Sequence, residues 1–218
     1  DGVQTAVTNL PALERSLIAG CMANRASLEH TSGDNWRAHG DPTEAALLVV
    51  ARKAAIERDD LLRTMPELAE LPFSSQRMVM ATFHRLPTGE IRTFVKGAPD
   101  RVLARCTAVA TQTGEQPLNP AARSLVLRSN DLLAARGLRV LALAEGRQQA
   151  TGEASLQELC FLGLVGMFDP PAPGVTETIE ALRTAGIRTI MLTGDQRLTA
   201  DVIAHALGVA AAGTETLD

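Results

Sequence analysis

The 218-residue sequence predicts an α/β (α+β) chain, a mainly antiparallel sheet flanked by helices and followed by a shorter βα segment. Three observations carry that prediction. Residues 77–97 read RMVMATFHR, LPTG, EIRTFVKG, two strand-like runs about a turn. FDPPAPG at 168–174 is a proline-rich break. After it the pattern changes to helix, strand, helix.

The elements follow in order. LPALERSLIAGCMANRASLE (10–29) places Leu13, Leu17, Ile18, Cys21 and Met22 on one stripe behind Pro11, which suits a helix start. HTSGDNWRAHGD (30–41) is polar and reads as a loop. In GDPTEAALLVVARKAAIE (40–57), Asp41 caps a helix, Pro42 fills its first turn, and Glu44 falls three residues after the cap. The sheet is expected from Leu71 onward, with the hairpin of 77–97 at its start.

In FVKGAPD (94–100), Pro99 and Asp100 open a helix whose face holds Val102, Leu103 and Cys106. AVATQTGEQPL (108–118) supplies a strand, a turn and a loop. NPAARSLVLRSNDLLAARG (119–137) is a periodic helix stopped by Gly137. RVLALAEGR and ELCFLGLVGMFDPP read as buried strands. Beyond the proline-rich break come helix VTETIEALRTAG, strand IRTIMLTGD and helix RLTADVIAHALG. Two domains are expected, 1–168 and 169–218.

Composition narrows the function classes. Apolar content of 45% and charged content of 21% are those of a globular chain rather than a disordered one. A net charge of −4, with no basic run interleaved with aromatics, gives no footprint for nucleic acid. Cys21, Cys106 and Cys160 are odd in number and far apart, which fits reduced thiols in a cytosolic setting better than a disulfide framework. No apolar run nears the ~20 residues that span a bilayer, so the chain is expected to be soluble as it stands. It begins without methionine and is expected to be a piece of something longer.

The common phosphate-binding glycine loops, G-x-x-x-x-G-K-[ST] and G-x-G-x-x-G, are absent. His30, His39, His84 and His205 lack zinc spacing, and no G-x-S-x-G supports a serine nucleophile. MLTGDQRLTA (191–200) instead runs an apolar strand into Thr193, Gly194 and Asp195. That puts a hydroxyl and a carboxylate at the carboxyl end of a strand, where ligands of open α/β sheets gather.

GDPTEAAL (40–47), FVKGAPD (94–100), GLRVLALA (137–144), FDPPAPGV (168–175) and MLTGDQRLTA (191–200) together resemble, in order, the signatures of P-type cation-transporting ATPases. The K-G-A-P stretch is similar to that of the calcium-pump-like branch. The resemblance implies a nucleotide-binding domain inserted into a phosphorylation domain of the haloacid-dehalogenase-like, Rossmannoid type, with a hinge at Asp169. It implies an adenine pocket with Phe73 as the stacking ring, Thr43 and Glu44 on the rim, and Lys96 and Gly97 on the inner wall. Arg139, with Arg77 second, is expected to reach the phosphates, and Thr193, Gly194 and Asp195 to face the γ-phosphoryl group.

Those residue types suit the task. An aromatic face stacks on a purine, glycine admits the base to the backbone, a carboxylate accepts from an exocyclic amine, and a guanidinium matches phosphate. The resemblance further implies ATP and Mg2+ and the remaining domains of a pump as partners, on the cytosolic face of a membrane, with the fragment itself a monomer. The chain departs from the pattern at several points. The D-K-T-G-T and G-D-G-x-N-D motifs are absent, so it is not expected to form the phosphoenzyme alone. Ser75, Met78 and Ala172 stand where basic residues are usual. A haloacid-dehalogenase-like phosphohydrolase with a large cap, and a regulatory module without nucleotide, remain the alternative readings.

Overall fold

The computed structural model describes residues 10–32, 35–168, 171–193 and 197–210. The elements run α1 Pro11–Met22, β1 Ser27–Ser32, β2 Asn35–His39, α2 Pro42–Lys53, α3 Arg58–Thr64, β3 Glu67–Leu71, β4 Val79–Arg85 and β5 Ile91–Gly97. They continue with α4 Pro99–Leu103, β6 Cys106–Thr111, β7 Gly114–Pro117, α5 Pro120–Ala134, β8 Arg139–Gln148, β9 Leu159–Met167, α6 Val175–Thr184 and α7 Arg197–Ala206. The chain divides into two compact units, one from residues up to Leu125 with Leu141–Val165, the other from Val126–Val140 with residues from Gly166 on.

A seven-stranded sheet orders its strands β3-β4-β5-β8-β9-β6-β7. The pairs β3–β4, β4–β5, β5–β8 and β6–β7 are antiparallel, and β6–β9 is parallel. The expected helix-flanked, mainly antiparallel architecture is therefore borne out. Register fixes the faces: Met80, Thr82 and His84 stand opposite Lys96, Phe94 and Arg92, which in turn oppose Leu143, Glu145 and Arg147.

That face carries α1. Thr82 Oγ1 donates to Met22 O at 3.1 Å. Ala19, Met22, Ala23, Met65, Phe94, Leu143, Cys160 and Leu162 form its core. Burying Phe94 completely contributes about 2 to 3 kcal/mol. Glu145 draws Arg15 of α1 and Arg92 of β5 together, accepting from Arg15 Nε at 2.7 Å and Arg92 Nη2 at 2.5 Å. A second cluster of Cys21, Ala26, Ala45, Leu48 and Ala51 joins α1 to α2.

Several local expectations change: Cys106, read on the face of the helix opened by Pro99, lies beyond its end and begins β6. The first helix ends at Met22, not Glu29, and residues 27–32 and 35–39, read as helix end and loop, pair as the strands of the β1–β2 hairpin. This hairpin is almost wholly exposed, so no apolar alternation announces it. It is held by Leu28 against the second core cluster and by Trp36, whose ring lies 3.7 Å from the Arg52 guanidinium. The sheet begins at Glu67 rather than Leu71.

In the other unit, Gly137 closes the α5 turn at φ +75, as expected of the stop residue. Helices α6 and α7 lie where anticipated. Residues 187–193, expected as a strand, are irregular: no ladder among the described residues pairs with them, and a strand without a neighbour has nowhere to place its backbone hydrogen bonds. No helix among the described residues is long and apolar enough to cross a membrane.

Candidate functional site

The site starts at the first turn of α2. Asp41 is extended, at φ −67 and ψ 131, and its Oδ1 accepts from Thr43 N at 2.8 Å and Glu44 N at 3.2 Å. With the cap held by Asp41 alone, the Glu44 side chain is released from the usual reach back to the cap. It turns instead to two other donors. Oε1 lies 2.5 Å from Lys96 Nζ, and Oε2 accepts from Arg25 N at 2.9 Å.

Lys96 is 7% exposed, an ammonium carried inward by β5 on the same face as Phe94. Burial pushes its pKa below the ordinary 10.5, while the Glu44 carboxylate and then Asp41 pull it back. Beside it Gly97 sits where a side chain could not. A Cβ there would lie 2.8 Å from Val79 Cα and also crowd the Met78 carbonyl. The polypeptide backbones of β5 and the start of β4 therefore approach closely at this point.

Two residues with no motif behind them complete the frame. Asn24 is fully buried, and its Nδ2 donates to Gly20 O at 3.1 Å and to Glu44 O at 2.8 Å, while Oδ1 accepts from Ala26 N at 2.9 Å. It thus clips the end of α1 to the first turn of α2. Arg25 pairs with Glu70 of β3. The one available signal was a polar pair, Asn24-Arg25, directly after the apolar stripe of α1.

The loop 72–78 carries Phe73, 61% exposed. Met78 anchors the loop to the end of β5: its carbonyl accepts from Ala98 N at 2.9 Å, and its own φ is +55. Arg77 turns to its own loop, Nη2 donating to Pro72 O at 2.7 Å and Nη1 to Glu153 Oε2 at 3.4 Å.

The structure thus brings Glu44 and Lys96 into contact, with Thr43 and Gly97 next to them in the chain. Phe73 and Arg77 lie on a loop anchored beside Gly97. Arg139, exposed at the start of β8, and Thr193, also exposed, belong to the other unit. Asp169, Gly194 and Asp195 lie outside the described residues.

The chemistry of these groups is that of recognition. A buried ammonium and carboxylate, a side-chain-free backbone and an exposed aromatic ring can bind a flat polar ligand. The three cysteines offer no nucleophile, being buried with thiols pushed up to about 11 for Cys21 and Cys160 and about 12 for Cys106, by burial first.

Residues 12–174 match the family described as P-type ATPase, cytoplasmic domain N, and the chain belongs to that family. The resemblance read from the ordered motifs is borne out. Among individual proteins, the chain is 40% identical to a probable cation-transporting ATPase F of Mycobacterium tuberculosis over 204 residues, 91% of this chain and 22% of that protein. It is 39% identical to the cation-transporting ATPase pma1 of Synechocystis, covering 93% of this chain and 22% of that protein. It is also 36% identical to the human calcium-transporting ATPase type 2C member 2, covering 88% and 19%. The chain spans about a fifth of the length of these relatives.

Proposed function

We propose that this chain binds ATP for a cation pump, with Phe73 stacking on the adenine, Thr43 and Glu44 on the rim, and Lys96 and Gly97 lining the inner wall. The observation that carries the reading is the buried contact between Lys96 and Glu44, two residues 52 positions apart that stand in two separate family motifs. A solvated strand end would have left Lys96 in water.

In the whole pump, ATP phosphorylates an aspartate outside this chain, and the transfer relies on positioning and charge stabilisation. Residues 1–168 serve as the nucleotide-binding domain and 169–218 as part of the phosphorylation domain. Asp169 lies at the hinge, and Thr193, Gly194 and Asp195 face the γ-phosphoryl group. Arg139 supplies a phosphate contact. Magnesium supports charge neutralisation in such transfers. Among the described residues no group of three His, Cys, Asp or Glu side chains is placed to hold a metal ion. The chain alone does not turn over ATP, and it works at the cytosolic face of the membrane.

With few basic residues near the phosphates, the isolated affinity is expected at roughly 0.1 to several mM, or about 4 to 5 kcal/mol. Titrating backbone amides by NMR with ATP, ADP and AMP tests this. Shifts should cluster at Glu44, Phe73 and Lys96, and Phe73→Ala should cost about 1 to 3 kcal/mol of affinity. Silence of those amides at several mM nucleotide would sink the reading.

A further inference from the structure

We propose that Arg77 is a positioning residue that clamps the loop presenting Phe73, instead of serving as a phosphate contact. The inference rests on the ATP-site reading and adds Glu153, which lies outside every recognised motif.

The geometry is a closed ring. The Arg77 backbone N donates to Ser74 Oγ at 3.2 Å, and Met78 N donates to Ser74 O at 2.7 Å, so residues 74–78 form a hydrogen-bonded turn. The Arg77 side chain then folds back across the turn, and its Nη2 donates to Pro72 O at 2.7 Å. That oxygen belongs to the planar peptide group that contains Phe73 N. Holding it fixes the plane from which the Phe73 Cα departs, and so limits the directions open to an otherwise exposed ring.

The guanidinium is held from outside as well. Glu153, in the one-turn 3-10 helix Glu153–Ser155 between β8 and β9, receives Nη1 at 3.4 Å. Arg77 Nε is buried and meets no acceptor among the described residues. The side chain is only 23% exposed, so it is packed along the loop rather than extended into solvent. A guanidinium already bonded to a carbonyl and a carboxylate would have to break both bonds to reach a phosphate.

Affinities for ATP and for adenosine, measured by NMR titration of the full chain, test the clamp. Arg77→Met should weaken both ligands by the same factor, roughly 3- to 10-fold, the range expected for losing one well-made hydrogen bond. Unchanged amide shifts at Ala45 and Val95 certify that the rest of the unit stays folded. Loss of ATP affinity with adenosine unchanged overturns the inference, because only a phosphate contact discriminates that way. Glu153→Gln supplies a test of sign. The clamp predicts slightly weaker binding of both ligands, whereas tighter ATP binding with adenosine unchanged overturns it. If the wild-type chain binds neither ligand, the ATP reading fails, and the clamp is then judged on heteronuclear NOE values at Phe73–Gln76. A drop in Arg77→Met supports the clamp, and unchanged values overturn it.

Discussion

Lys96 Nζ meets Glu44 Oε1 at 2.5 Å, with only 9% of the lysine side chain and 14% of the glutamate side chain left exposed. A pair removed from water to this degree behaves unlike a surface salt bridge. Each charge has exchanged hydration for the other, so deleting one strands its partner. Glu44→Gln is expected to destabilise the chain by about 2 to 3 kcal/mol in urea titrations. In a cycle with Lys96→Met, the double variant should lie closer to the wild type than the sum of the singles, with a coupling of about 1 to 3 kcal/mol. Additive effects would show that the two charges do not depend on one another.

Gly97 tests the close approach of β5 to the start of β4. In Gly97→Ala the new methyl meets the Met78 carbonyl and the Val79 backbone, neither of which is a flexible side-chain end. The expected cost is about 1 to 3 kcal/mol, read as a lowered urea midpoint. A wild-type midpoint would mean the strands separate without strain.

His84 provides the pH dependence. Its ring is fully buried, Nδ1 donates to Met65 O at 3.1 Å, and Nε2 meets no partner among the described residues. Burial lowers its pKa from the ordinary 6.5, against the opposing pull of the Met65 carbonyl. The unfolded chain therefore takes up a proton below pH 6.5 that the folded chain still refuses, and stability falls as the medium is acidified through that window. Urea midpoints should drop from pH 7 to pH 5, and His84→Gln should flatten the slope. Parallel slopes in the two proteins would contradict the assignment.

Much of this was legible because certain residues act locally. Asp41 and Pro42 announce α2 by capping chemistry, and the apolar runs on either side of LPTG announce β4 and β5. The family motifs led to Lys96 and Glu44. What stayed hidden depends on partners distant in sequence. The β1–β2 hairpin has no apolar face of its own, and its place is set by Leu28 and by the stacking of Trp36 on Arg52. Glu44 looked like half of a capping box, yet its carboxylate is used by Lys96 and by the Arg25 amide. Asn24 carries no motif; two of its hydrogen bonds are local, to Gly20 O and from Ala26 N, and the one that joins the helices, to Glu44 O, exists only once α1 and α2 have met. Residues 187–193 have strand-like composition but find no ladder among the described residues.

The stacking of Trp36 on Arg52 has an optical side. The chain contains one tryptophan and no tyrosine, so its near-ultraviolet emission issues from a single indole. That indole rests on the last turn of α2, the helix whose first turn bears Thr43 and Glu44. Nature has fitted the domain with its own lamp, and any tilt of that helix against its hairpin will register as a change in colour or brightness without a label being attached.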